Sequence, residues 1–312
     1  MFKAITFTDV HLADKNPISR KDNYCESIFN KLEQVSEMCE YLEADVAICA
    51  GDLFHVKAPG KNSHLLVSEL IQSFKKFPCP VYTIIGNHDI SQDNLRNLPK
   101  QPINTLLKAG ACHELRDVSF CEGKIRIFGI DYLDSPEYSD FSRNKDNEAI
   151  QICVAHVNAS SKFDDLFGER VYTYQELEKT SPNIFVFGHY HPDQGIEIRK
   201  NKHFINVGAL SRGSLSKDDI SRIPNVGYIE IDNSFNITTK KISLNVLSSS
   251  EIFDLEKKGK EEQEQKEMQK FIEELKDKVN VNKVDNIADK IKSLQFGEEI
   301  VNKALYYYEK VL

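Results

Sequence analysis

The chain has 312 residues, with 48 acidic against 40 basic side chains and a net charge of −8 at neutral pH. That balance excludes a globally basic nucleic-acid footprint and predicts weak non-specific DNA binding, although bound divalent cations can reverse the local field at a phosphodiester site. The longest apolar runs are strand-length, and the chain enters its first one without a basic leader, so a cytoplasmic protein with no membrane partner is expected.

Up to about residue 245, short β-branched runs alternate with amphipathic stretches. Ala4-Ile5-Thr6-Phe7 reads as the first strand, and Ile28, Leu32, Val35, Met38, Cys39 and Leu42 follow at helical spacing. Val46-Ala47-Ile48-Cys49-Ala50 is a second strand. Leu65, Leu66, Leu70, Ile71 and Phe74 mark a second helix before the strand ending at Ile85. This βαβαβ opening implies a largely parallel sheet covered by helices. Residues 118–121 and 124–128 flank Glu122-Gly123 as a hairpin, and further strands at 194–199, 204–207, 227–231 and 237–242 suggest a second, mainly antiparallel sheet. At Ser248-Ser249-Ser250-Glu251 the composition shifts to a linker and helix cap. Beyond it, Met268, Phe271, Ile272, Leu275 and Val279 make an apolar stripe in a charged helical tail, 246–312. The cysteines at 25, 39, 49, 79, 112, 121 and 153 never form a Cys-x-x-Cys pair and read as reduced core residues.

Five of the strand ends carry metal-type ligands: Asp9-Val10-His11, Gly51-Asp52, Gly86-Asn87-His88-Asp89, His156, and Gly188-His189-Tyr190-His191. A dinuclear hydrolytic site needs donors that hold two divalent ions about 3.5–4 Å apart with one group bridging them. The pattern assigns Asp9, His11 and His191 to one ion and Asn87, His156 and His189 to the other, with Asp52 bridging. Carboxylate, imidazole and amide donors suit Mn²⁺ first, with Fe²⁺, Zn²⁺ or Mg²⁺ as alternatives. His88, next to Asn87, is the candidate to protonate the leaving oxygen, with Asp89 or another carboxylate on its second ring nitrogen. His64, His113 and His203 belong to no motif.

These blocks, in this order, resemble the calcineurin-like metallophosphoesterase superfamily. The resemblance implies a four-layered α/β/β/α sandwich with the dimetal site at the strand ends. More narrowly, Gly51-Asp52-Leu53-Phe54-His55, the Ala58-Pro59-Gly60 loop and the segment from Asn206 to Ser214 resemble SbcD-type (Mre-type) DNA repair nucleases. Protein phosphatases of the superfamily carry Asp-x-His-Gly and Gly-Asp-x-Val-Asp-Arg-Gly, where this chain has Leu12 and Phe54-His55. The narrower resemblance implies that His55 works at the DNA end, that residues 1–245 form the nuclease domain, and that the protein dimerises through core helices. It also implies an SbcC-type (Rad-type) ABC ATPase docking on the helices of 246–312. In the remaining length the capping domain of larger relatives is expected to be absent or much reduced. The alternatives are a small-molecule or nucleotide phosphoesterase of the same fold and a non-catalytic scaffold.

Overall fold

Strands with both faces buried need apolar residues on both, and the first strands of this chain have them. In β1 (Phe2–Phe7), Phe2 and Ala4 face one core while Ile5 and Phe7 face another. β2 (Val46–Cys49) repeats the division, with Val46 and Ile48 on one side and Ala47 and Cys49 on the other. Between them, α1 (Tyr24–Tyr41) starts at Asn23, whose side chain accepts from the Glu26 N–H, and buries Ile28, Leu32, Val35 and Cys39. α2 (His64–Lys75) is capped in the same way by Ser63 and buries Leu66, Leu70 and Phe74. Next come β3 (Val81–Thr83), α3 (Pro102–Lys108) and β4 (His113–Glu114).

The structure is a computed structural model that describes residues 1–256 except 133–135, 143–148, 164 and 167, together with residues 259, 266 and 301. Its compact units are Met1–Phe253 and Asp254–Leu312. The apolar stripe expected at 268–279 lies outside the described residues. No helix among the described residues is long and apolar enough to cross a membrane.

After β4 the chain forms β5 (Asp117–Phe120), β6 (Ile125–Ile130) and β7 (Ile150–His156). Four two-residue strands follow: β8 (Ala159–Ser160), β9 (Asp165–Leu166), β10 (Glu169–Arg170) and β11 (Tyr172–Thr173). The first unit is completed by α4 (Tyr174–Leu177), β12 (Ile184–Gly188), β13 (Gly195–Arg199), β14 (Lys202–Asn206), α5 (Lys217–Ser221), β15 (Asn225–Ile231), β16 (Ile237–Ser243) and α6 (Ser249–Ile252). One six-stranded sheet has the order β16-β15-β1-β2-β3-β4, and the other β13-β14-β12-β7-β6-β5. The two face each other across a core that includes Ile48, Ile84, Ile127, Ile152 and Val186. α1, α2 and α3 cover the first sheet over their own core. α4 covers the second over Tyr174, Phe185, Phe187 and Phe204. Helix, sheet, sheet and helix are thus stacked with three cores between them, the α/β/β/α sandwich expected.

The second sheet differs from its expected form in pairing. β6, β7, β12 and β14 run parallel, and only the edge strands β5 and β13 are antiparallel. β15 and β16 instead join the first sheet, β15 running antiparallel to β1 from Phe2↔Ile231 to Thr6↔Gly227. The hairpin turn is longer than two residues: Phe120 pairs with Ile125, and Cys121, Glu122 and Gly123 all take positive φ. Ser248 does cap a helix, its side chain and backbone both bonding Glu251. The chain just after the serine segment is packed: Phe253 is fully buried, and the guanidinium groups of Arg20 and Arg212 each lie 5.5 Å from its ring centre. Of the cysteines, 39, 49, 112 and 153 are buried, 25 and 79 partly so, and Cys121 is exposed; none is in a disulfide.

Candidate metal centre

Parallel strands in register end at one level, which brings their following loops together. Phe7 aligns with Cys49, Cys49 with Thr83, and Gly188 of the second sheet with His156. The two sheets converge at this edge. A Cβ on Gly188 would stand 2.2 Å from the Ala50 carbonyl oxygen and 2.4 Å from Thr8 Oγ1, so only glycine permits the approach. The loops are tightly wound: Asp9, His11, Asp52 and His189 have φ of 51°, 48°, 57° and 84°. Such backbone costs of the order of 1–3 kcal/mol per residue and persists where surrounding structure enforces it. Here Asp9 N–H donates to Gly51 O at 3.1 Å and His11 N–H to Asp52 O at 3.0 Å, interlocking the two loops.

All nine residues singled out in the sequence meet in this place. His11 Nε2 lies 3.0 Å from His191 Nε2, and Asp9 Oδ1 lies 3.8 Å from the first and 3.7 Å from the second. On the other side, Asn87 Oδ1 is 3.0 Å from both His156 Nε2 and His189 Nδ1. Asp52 Oδ2 stands between the two sets, 3.6 Å from His11 Nε2 and 3.4 Å from His156 Nε2. Asp9 reaches both sets, since its ligand atom also groups with those of Asp52 and His156 within 4.8 Å. His88 and His55 stack with ring centres 5.5 Å apart, and His88 lies 4.7 Å from His11. His64, His113 and His203 stand apart from this group: His64 opens α2, His113 tilts against Tyr82, and His203 bonds Thr239.

Burial and the charge of Asp52 set the protonation of these groups in opposite directions. Burial, and after it the neighbouring imidazoles, push His11 well below its ordinary pKa, against the pull of Asp52. Burial likewise lowers His55 and His189. His156 behaves oppositely: burial lowers it, but the charge and hydrogen bond of Asp52 overcome this and raise it to about 9. Asp52 is held far below the carboxylate range by His156 and His11 despite its burial. With Nδ1 of His156 2.7 Å from the Ala50 carbonyl, Nε2 points its lone pair or proton at Asp52 and Asn87. Lone pairs of two imidazoles and an amide oxygen converge beside one carboxylate, and two further imidazoles converge beside another. The chemistry of this donor set, imidazole, carboxylate and amide oxygen, fits borderline divalent cations.

Asp89 has a different partner from the one expected. Its Oδ1 accepts from Leu53 N and Phe54 N, and its Oδ2 from Asp52 N and Gly86 N, so it clamps the Asp52 loop to the Asn87 loop. The second ring nitrogen of His88, Nδ1, instead lies 2.7 Å from the His55 carbonyl oxygen. The sequence shows an aspartate beside the histidine, but its four backbone partners belong to the fold. Glu169 was also missed; its Oε2 lies 3.3 Å from His189 Nε2, and no motif surrounds it. Cavities flank the centre on two sides. One of 480 Å³ is lined by His11, His55, His191, Tyr24 and Lys15, and another of 260 Å³ by Tyr132, His156, Asn158, Glu169 and His189. A larger hollow over α1 and α2, of 610 Å³, shares none of these residues.

Residues 2–193 match the family model for calcineurin-like phosphoesterase. The chain is similar to a protein of Methanococcus maripaludis named DNA double-strand break repair protein Mre11, with 24% identity over 325 residues, covering 95% of this chain and 82% of that one. Among solved structures, one from Staphylococcus aureus assigned as a 5′-nucleotidase superposes with a TM-score of 0.51 at 15% identity, covering 79% of this chain and 54% of that one. A dimetal phosphatase from Danio rerio superposes with a TM-score of 0.50 at 12% identity, covering 78% and 96%. At such identities these two structures speak for the fold alone.

Proposed function

Since the chain belongs to the calcineurin-like phosphoesterase family, a family of hydrolases, we propose that it is a dimetal-dependent phosphodiesterase acting on DNA, an SbcD-like nuclease subunit. The observation that carries the hydrolytic part is the convergence of six ligand-type side chains around Asp52, with His88 beside them and outside the ligand set. Asp9, His11 and His191 would hold one cation and Asn87, His156 and His189 the other, Asp52 touching both. When bound, the two cations neutralise phosphoryl charge and activate water.

The protein's own groups then divide the work. His88 bonds the His55 carbonyl through Nδ1, so Nε2 is the atom that carries a proton to the leaving oxygen. The stacked His55 ring lines the 480 Å³ cavity, where a DNA end would meet it. DNA as substrate is supported by Leu53-Phe54-His55, by the segment following Asn206 and by the similarity to the Methanococcus protein along 95% of the chain. Docking of an SbcC-type ATPase on 246–312 and a homodimer through core helices belong to the same proposal. A second reading, hydrolysis of a nucleotide or another small phosphoester, is favoured by the net charge of −8.

Digestion of linear DNA with Mn²⁺ tests the proposal, alongside a bis-aryl phosphate. The nuclease reading expects cleavage of both. Turnover of the aryl ester with DNA left intact supports the second reading, and turnover of neither contradicts both.

A further inference from the structure

We infer that Glu169 is a positioning residue for the metal centre, fixing the ring form and orientation of His189; the inference rests on the two-cation reading above. His189 turns Nδ1 toward Asn87 Oδ1 at 3.0 Å and Nε2 toward Glu169 Oε2 at 3.3 Å. An imidazole that ligates through Nδ1 must carry its proton on Nε2. A carboxylate on that proton selects the tautomer, holds the ring plane and makes the ligating nitrogen more basic.

His156 is fixed differently, by the backbone carbonyl of Ala50. A carbonyl cannot exchange its place with a side-chain rotamer, whereas Glu169 must itself be held. Asn158 does this: its Nδ2 donates to the same Oε2 at 2.7 Å, and Asn158 is buried two residues beyond His156. A continuous path therefore runs from the end of β7 through Asn158 and Glu169 to His189. On the ring itself, Tyr132 lies with its centre 5.1 Å from that of His189. The Glu169 side chain is 57% exposed. An exposed pair of this kind contributes little to folding stability, so the consequence of losing it falls on the site.

The test uses the full chain stripped of metal, as wild type, Glu169→Ala and Glu169→Gln. Calorimetric titration with Mn²⁺ is expected to give two sites in the wild type. In Glu169→Ala one of them weakens about 10- to 100-fold and the other is unchanged. Glu169→Gln, whose amide oxygen still accepts from Nε2–H, recovers most of the lost affinity. In the metal-free protein, ¹⁵N NMR of the ring should find His189 protonated on Nε2 in the wild type and a mixture of tautomers in Glu169→Ala, a readout independent of metal. Two sites in the wild type with an unaltered isotherm and tautomer in Glu169→Ala overturn this inference alone. Fewer than two sites in the wild type overturn the two-cation reading and this inference with it.

Discussion

Replacing Asp89 by alanine removes the clamp between the Asp52 and Asn87 loops. The carboxylate is 2% exposed and accepts four backbone N–H groups: Asp52 at 2.9 Å, Leu53 at 2.9 Å, Phe54 at 3.1 Å and Gly86 at 3.0 Å. Burial, followed by the charge of Asp52, pushes its pKa up to about 7, against the N–H groups that hold the ionised form. Because both oxygens already receive N–H donors, the geometry fits the carboxylate rather than the acid. Each buried donor left unmade costs about 1–3 kcal/mol. Taking the low end for four donors, since water can enter the vacated space, Asp89→Ala should lose about 4 kcal/mol. Asp89→Asn keeps one acceptor oxygen and turns an amide NH₂ group toward the remaining donors, so it should fall between. Urea denaturation of the metal-free protein measures both, read as a midpoint shift at constant slope. A loss under about 0.5 kcal/mol for the alanine variant would refute the reasoning, because buried donors without partners cannot be that cheap.

His88→Ala should keep two bound Mn²⁺ and lose cleavage by about 10²–10⁴-fold, as expected for a lost general acid; wild-type rates in that variant remove His88 from the mechanism. In Gly86→Ala the new Cβ would stand 2.1 Å from Asp52 Oδ1 and 2.4 Å from Asp52 N. That overpacking should cost about 1–3 kcal/mol and weaken Mn²⁺ binding, and an unchanged melting curve with unchanged metal affinity would contradict it. Lys31 donates to Leu210 O at 3.0 Å, and burial, then Arg20, Arg212 and Arg222, lower its pKa to about 7. The unfolded lysine, near its ordinary value of about 10.4, binds more protons between those limits. Stability of the wild type relative to Lys31→Met should therefore be greatest above that upper limit and fall as pH drops toward 7, by up to about 1.4 kcal/mol per unit. Urea midpoints for the two proteins that run parallel across this range would sink the assignment.

Local chemistry was legible wherever one stretch of sequence contains its own physical reason. A run of residues buried on both faces followed by a ligand-type side chain identifies a strand and what it delivers, as at Ile152–Ala155 before His156. Helix spacing and the serine and asparagine caps located α1 and α2 in the same way. Pairing between distant segments was not legible: β15 reads as another strand of a late meander, yet it pairs with β1, more than two hundred residues earlier in the chain. Asp89 shows the same limit at the site. Its neighbour His88 is the obvious partner in sequence, but backbone N–H groups at 52–54 carry no side-chain signature. Glu169, in a two-residue strand and half exposed, has neither periodicity nor motif; only the ring nitrogen it faces distinguishes it. The apolar stripe at 268–279 rests on its spacing alone and lies outside the described residues.

On the proposed reading, Asp52 stands between two cations on one chain. Electron paramagnetic resonance of the Mn²⁺-loaded protein tests it directly. The wild type should give the exchange-coupled spectrum of a manganese pair, and Asp52→Ala should lose it. A wild-type spectrum containing only isolated Mn²⁺ at saturating metal would contradict the account.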